Sequence, residues 1–137
     1  MRQRLFADAG YWIGLFNPRD HLHAKAATAF REFRPRQIVT SEMVLTELLN
    51  HFSEGDTHLR RSAAKGVASL RALPEIAIVP QTSELFVRAF ERYRAMSDKG
   101  WSLTDCASFI IMEDEGLAIA LTHDQHFIQA GFQALLR

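Results

Sequence analysis

Asp8, Glu47, Asp105 and Asp124 are the residues of this 137-residue chain best placed to do chemistry. Asp8 follows the apolar run Leu5-Phe6-Ala7, and Asp124 follows Leu117-Ala118-Ile119-Ala120-Leu121, so both stand just beyond expected strands. In open α/β sheets, ligands bind outside the carboxyl ends of the strands. Glu47 lies on the shoulder of a helical apolar stripe, at ~100° per residue. Asp105 closes Ser102-Leu103-Thr104-Asp105, a capping-box pattern in which the acid reaches back to the cap's N–H. Each acid also has a plainer reading: a turn or cap for Asp8, Asp105 and Asp124, and a solvated helix acid for Glu47. If the four converge, like charges ~4 Å apart repel by about 4 kcal/mol at an effective dielectric of about 20. Divalent cations would have to offset that repulsion, and oxygen-only donors select a hard ion such as Mg²⁺ or Mn²⁺. Convergence is a tertiary property that the spacing alone does not dictate.

The elements that must position these acids are legible from hydrophobic period and punctuation. Leu5-Phe6-Ala7 reads as a buried strand stopped at a turn by Asp8 and Gly10. After the break at Asn17-Pro18, a helical period runs through Leu22, Ala26, Ala29 or Phe30, and Phe33. Ile38-Val39 is a second strand, followed by a helix capped by Thr40 or Ser41, with Val44, Leu45, Leu48, Leu49 and Phe52 on its apolar face and Gly55-Asp56 at its end. Leu59, Ala63, Val67 and Leu70 mark the next helix, closed by Pro74. Ile76 to Val79 predicts a third strand, and Thr82 caps a helix with Phe86, Ala89, Phe90 and Tyr93 on its apolar side. Ser102 opens a largely buried helix through Cys106 to Met112 that stops at Gly116. Leu117 to Leu121 predicts a central parallel strand, and a short helix and a last strand near Phe132 follow. Strands alternating with helices predict an α/β fold with a parallel sheet covered on both faces. The length predicts a single domain over residues 1–137.

Composition narrows the function. With 47% hydrophobic and 23% charged residues, the chain is an ordinary globular sequence able to bury a core without disulfides or a structural metal. The single cysteine, Cys106, excludes an internal disulfide and a multi-cysteine zinc site, fits a reducing interior, and reads as a core residue. Met1 to Asp8 contains no apolar signal run and no stretch of ~18 apolar residues occurs, so a cytoplasmic location without membrane insertion is expected. His21 with His23, and His123 with His126, lack the placement of a zinc-protease helix, although His123 beside Asp124 is a candidate substrate contact. Neither a G-x-x-x-x-G-K nor a G-x-G-x-x-G pattern occurs, which removes the main support for nucleotide chemistry. A receiver domain needs paired acids after its first strand and a lysine after its last, whereas this chain has Asp8 alone and no lysine beyond Lys99.

The formal net charge of +0 argues against a basic nucleic-acid clamp. Committing four of the 16 acids to metal, however, leaves a surplus of bases. These gather as Arg31, Arg34 and Arg36; Arg60, Arg61, Lys65 and Arg71; and Arg88, Arg92, Arg94 and Lys99. They are candidate phosphate contacts, with a solvated helix face as the ordinary alternative. Tyr11 and Trp12 are candidate base-stacking residues or core aromatics, and Trp12, Phe16 and Trp101 are either core or an exposed patch suited to a homodimer.

Four segments together resemble the PIN domain family, and more narrowly the VapC-like toxins and related stand-alone PIN proteins. They are Phe6-Ala7-Asp8-Ala9-Gly10 with the following Phe16 to Ala24; Thr40 to Leu48 around Glu47; Ser102 to Ser108 around Asp105; and Ala120 to Phe127 around Asp124. They span nearly the whole chain in the family's order. The resemblance implies a three-layer α/β/α fold with a central parallel sheet. It also implies that Asp8, Glu47, Asp105 and Asp124 form an acidic quartet that binds Mg²⁺ or Mn²⁺ and hydrolyses RNA phosphodiesters. Asp8 is then the central ligand, Glu47 and Asp105 complete one site, and Asp124 serves the other if two ions bind. Thr104 and Thr122 match the family's supporting hydroxyls. The chain departs from the family after the first acid, where a Ser or Thr is frequent and Ala9-Gly10 stands here. The implied activity is a metal-dependent endoribonuclease, with the toxin of a type II toxin-antitoxin pair as the narrower expectation and an antitoxin as its partner. The alternative is a PIN-like RNA-binding or scaffolding protein without turnover.

Overall fold

The computed structural model describes residues 3–33, 35 and 37–137. The elements run β1 (Arg4–Ala7), α1 (Ala9–Phe16), α2 (His23–Phe33), β2 (Gln37–Ser41), α3 (Glu42–His51), α4 (Thr57–Ala72), β3 (Ile76–Val79), α5 (Ser83–Ala95), α6 (Leu103–Glu115), β4 (Ile119–Leu121), α7 (Gln125–Gln129) and β5 (Gln133–Ala134). The five strands form one parallel sheet in the order β3-β2-β1-β4-β5. From β1 the chain steps outward through β2 to β3, then returns to the other side of β1 for β4 and β5. Right-handed crossovers therefore put α1 to α4 on one face and α5 to α7 on the other. Most helix contacts divide the same way, with α1 meeting α2, α3 and α4, and α6 meeting α5 and α7, while α3 also reaches α6 at the sheet's end. This is the expected three-layer α/β/α arrangement.

Local chemistry sets most element ends. Ser41, Asp56, Thr82 and Ser102 each accept a backbone N–H at the start of a helix, so the predicted caps at Thr82 and Ser102 are present and Ser41, not Thr40, caps α3. Thr40 is instead a buried link: it donates to the Ala7 carbonyl at 2.9 Å and accepts from the Trp12 indole at 3.3 Å. Gly116 ends α6 in the left-handed region at φ 67°, which a side chain would disfavour. α6 is buried from Asp105 through Met112, as its nearly continuous apolar sequence requires.

Three expectations are corrected. The predicted turn after Asp8 is the first turn of α1, because Tyr11 and Trp12 are core residues and burying them outweighs the weak helix propensity of Gly10 and Gly14. α5 does not bury Phe86, Phe90 and Tyr93; it buries Leu85 and Ala89 and leaves those three aromatics exposed. The Leu85 and Ala89 face packs inward, and Arg88 and Arg92 beside it make two-pronged bonds to Asp114 and Glu113 of α6. Trp12, Phe16 and Trp101 form no exposed patch: Trp12 and Trp101 are buried, and the half-buried Phe16 ring occupies the space a side chain at Gly66 would need, 2.7 Å from that missing Cβ. Burial likewise removes Tyr11 and Trp12 as base-stacking residues.

Candidate active site

β1 and β4 are neighbours whose onward connections leave in opposite directions, so a crevice opens beyond their carboxyl ends. The Asp8 N–H donates to the Leu121 carbonyl at 3.2 Å, which sets Asp8 and Thr122 side by side there. Asp8 caps α1, with Oδ1 accepting from the Ala9 N–H at 2.8 Å. Asp124 caps α7, with Oδ1 accepting from the His126 N–H at 2.9 Å. In α6 the Asp105 N–H donates to Ser102 Oγ at 3.0 Å, and Asp105 Oδ2 accepts from the Ser102 N–H at 3.1 Å. The capping role of these acids and their place in the crevice thus coincide. Three helix N-termini, whose unpaired N–H groups carry partial positive charge, favour the carboxylates gathered there. Glu47 comes from α3, which packs against both α1 and α6.

The electrostatics tie the four acids into one unit. Burial pushes the Asp8 carboxyl up to about 7; the Ala9 N–H and the Thr122 hydroxyl oppose this, and the Asp105 and Glu47 charges add to it. Asp105 is also raised, first by burial and then by Asp124, against the stabilising bonds from Ser102 and His126. Glu47 as a residue is exposed, but lost hydration at its carboxyl and the Asp105 charge raise it, while a Thr104 hydroxyl contact favours its ionised form. Among the described residues no lysine or arginine bonds to these acids, and the helix ends and His126 are the groups set against their charge.

The two threonines sit against the acids they were expected to support. Thr122 Oγ1 donates to Asp8 Oδ2 at 2.9 Å and accepts from the Asp124 N–H at 3.1 Å, while Thr104 lies beside Glu47. A cleft of about 320 Å³ lined by Glu47, Asn50, Gln81, Ser102 and Thr104 leads away from the acids. His126, which the sequence sets aside as a zinc ligand together with His123, has its Nδ1 3.0 Å from Asp105 Oδ2 and 3.3 Å from Asp124 Oδ1. The available signal was local: His126 is the second residue of a helix capped by Asp124. His123 is exposed and its ring stands beside that of His21.

Of the basic clusters, Arg34 and Arg36 lie outside the described residues. Arg88, Arg92 and Arg94 are committed to Asp114, Glu113 and Glu91, which leaves them poor candidates for phosphate. Arg61, Lys65 and Arg71 on α4 are exposed.

The donor set suits a divalent cation. Ligand atoms of Asp105, Asp124 and His126 all lie within 4.8 Å of one another, and the Asp8, Glu47 and Asp105 carboxyls are raised first by burial and then by neighbouring acids, which a divalent cation would counter.

The chain is 27% identical over 128 residues to the 23S rRNA-specific endonuclease VapC20 of Mycobacterium tuberculosis, in both strain CDC 1551 / Oshkosh and strain H37Rv, covering 93% of this chain and 95% of the relative. The crystal structure of Mycobacterium tuberculosis VapC20, described as a sarcin-ricin loop cleaving toxin, superposes with a TM-score of 0.83 at 26% identity, covering 93% of this chain and 95% of that one. The family model of the PIN domain matches residues 5–133, and this chain belongs to the PIN domain family.

Proposed function

We propose that this protein is a Mg²⁺- or Mn²⁺-dependent endoribonuclease and the toxin of a toxin-antitoxin pair. The observation that carries the reading is the gathering of Asp8, Glu47, Asp105 and Asp124 at the β1–β4 crevice, with the Asp8 carboxyl pushed up to about 7, first by burial and further by the charges of Asp105 and Glu47. Asp8, Asp105, Asp124 and Glu47 would hold the ions. Bound there, such ions supply charge stabilisation to a phosphodiester and lower the pKa of a coordinated water. Thr122 orients Asp8 and holds the Asp124 backbone, and Thr104 supports Glu47. The cleft beside Glu47 and Thr104 gives the strand a route to the acids. RNA containing the sarcin-ricin loop is the first substrate to test, by analogy with the relative from Mycobacterium tuberculosis.

The partner implied is an antitoxin segment presenting Arg or Lys to the acidic crevice, where it would compete with metal. A cytoplasmic location accords with an RNA substrate, and no described helix is long and apolar enough to cross a membrane. A homodimer is also proposed, now through α5. Phe86, Phe90 and Tyr93 are exposed on one stripe, and the flanking Arg88, Arg92 and Arg94 are already neutralised within the chain. Such an apolar, locally neutral face suits an identical copy better than a charged partner.

The test is cleavage of ribosomal RNA by the purified chain with Mn²⁺, with EDTA and Asp8→Asn as controls. Metal-dependent, variant-sensitive cutting at defined positions is expected. RNA binding without cutting by a fully folded, metal-supplied preparation would reject the nuclease in favour of the non-catalytic alternative.

A further inference from the structure

His126 joins two acids that belong to different helices. Its ring Nδ1 approaches Asp105 Oδ2 at 3.0 Å and Asp124 Oδ1 at 3.3 Å, while its backbone N–H also donates to Asp124 Oδ1. An ionised carboxylate only accepts, so Nδ1 carries the hydrogen in this arrangement. Asp105 Oδ2 thereby has two donors, the Ser102 N–H and the imidazole, and Asp124 Oδ1 accepts from the His126 backbone N–H with the ring nitrogen in contact at 3.3 Å. The second oxygen of each acid, Oδ1 of Asp105 and Oδ2 of Asp124, is left without a hydrogen bond among the described residues.

The ring is held from behind. Its Nε2 edge lies against Gly100, where a Cβ would stand 3.5 Å away. The adjacent Trp101 indole donates to Gln129 Oε1 at 3.1 Å, tying the loop before α6 to the helix that carries His126. Phe127, the next residue, is buried edge-on to Phe109 of α6. With Nδ1 engaged by the acids, the imidazole faces the carboxylates as their hydrogen-bond partner.

We propose that His126 is a positioning residue of the acidic site. Its Nδ1–H binds one oxygen of Asp105 while its backbone N–H and the ring edge hold one of Asp124, so that the other oxygen of each acid is presented to the cation. The inference rests on the metal-nuclease reading above and assigns a role that the four acids do not fill. Partners of metal-binding carboxylates set how well those ligands are oriented.

The experiment compares three variants of the full chain. Asn at 126 can place an amide N–H near the Nδ1 position, Gln places its amide farther out, and Leu has no donor. Manganese binding to metal-free protein is followed by electron paramagnetic resonance at constant pH, with the thermal midpoint without metal checking the fold and kcat and KM for RNA measured separately. His126→Leu and His126→Gln should lose roughly 10- to 100-fold in Mn²⁺ affinity and in kcat, with KM for RNA little changed and His126→Asn close to wild type. Wild-type Mn²⁺ affinity in a folded His126→Leu protein would overturn the clamp. So would an Asn variant as weak as Leu together with nitrogen hyperfine coupling in wild type, which would make His126 a direct ligand. A wild-type chain that neither binds Mn²⁺ nor cuts RNA would instead reject the parent reading, and the clamp with it.

Discussion

Thr122 and Asp8 stand 114 positions apart in the chain, yet the threonine hydroxyl donates to the buried Asp8 carboxylate across 2.9 Å. The same oxygen accepts from the Asp124 N–H, so one hydroxyl joins the first acid of the chain's quartet to the last. Thr122→Val should therefore destabilise the protein by about 1–3 kcal/mol by orphaning a buried acceptor and an N–H, and should lower cleavage. Thr122→Ser, which keeps the hydroxyl, should lose much less. Urea unfolding of the two variants side by side decides this.

The raised Asp8 carboxyl has a definite consequence for stability. In the native chain Asp8 keeps its proton to about pH 7, whereas the unfolded chain releases it near 3.8. The native state thus binds more protons between these values, and this group's contribution to stability falls as pH rises through that window, then levels off. Asp8→Asn removes the dependence. In metal-free buffer the variant should match wild type below pH 4 and exceed it at pH 8, by up to roughly 4 kcal/mol, while losing RNA cleavage. Combined with Asp105→Asn, the cleavage losses should be less than additive, because both acids serve one unit. A variant less stable than wild type at pH 8 would contradict the assigned environment of Asp8.

Metal should reverse the same penalty. Adding Mn²⁺ or Mg²⁺ at about 100 times its dissociation constant should stabilise wild type by roughly 2.7 kcal/mol at pH 8, and EDTA should abolish both the gain and cleavage. The Asp8→Asn, Asp105→Asn double variant should show little shift in thermal midpoint. An equal shift in wild type and double variant would place the ion elsewhere.

The α5 stripe predicts the behaviour of the chain in solution. Phe90, stacked near Phe86 with ring centroids 6.5 Å apart, is exposed and touches no site acid. Phe90→Glu should convert a dimer at micromolar concentration to a monomer without lowering the thermal midpoint. Light scattering that finds wild type monomeric would reject the dimer.

Expression provides the test of toxicity. Growth should stop when the chain is made alone, continue when Asp8→Asn is made, and be restored by co-expressing the product of the neighbouring reading frame. Harmless expression of an enzyme that cuts RNA, with no binding by that neighbour, would reject the toxin role and leave the nuclease intact.

Much of this protein is legible from local sequence because local chemistry decides it. Apolar runs such as Leu117 to Leu121 mark the central strands, and Ser102 with Asp105 marks a helix start through bonds between residues three apart. The acids are placed relative to those element ends, so their candidacy needs no coordinates. The first helix and the facing of α5 are different. Tyr11 and Trp12 form a helix despite Gly10 and Gly14 because a distant core receives them, and α5 buries Leu85 and Ala89 while Arg88 and Arg92 meet acids on α6. The link from His126 to Asp105 spans 21 positions, and the pKa of Asp8 depends on burial that no nearby residue provides. Periodicity and capping report each residue's near neighbours along the chain, whereas convergence, desolvation and charge coupling arise only when the β1–β4 pairing brings remote segments together.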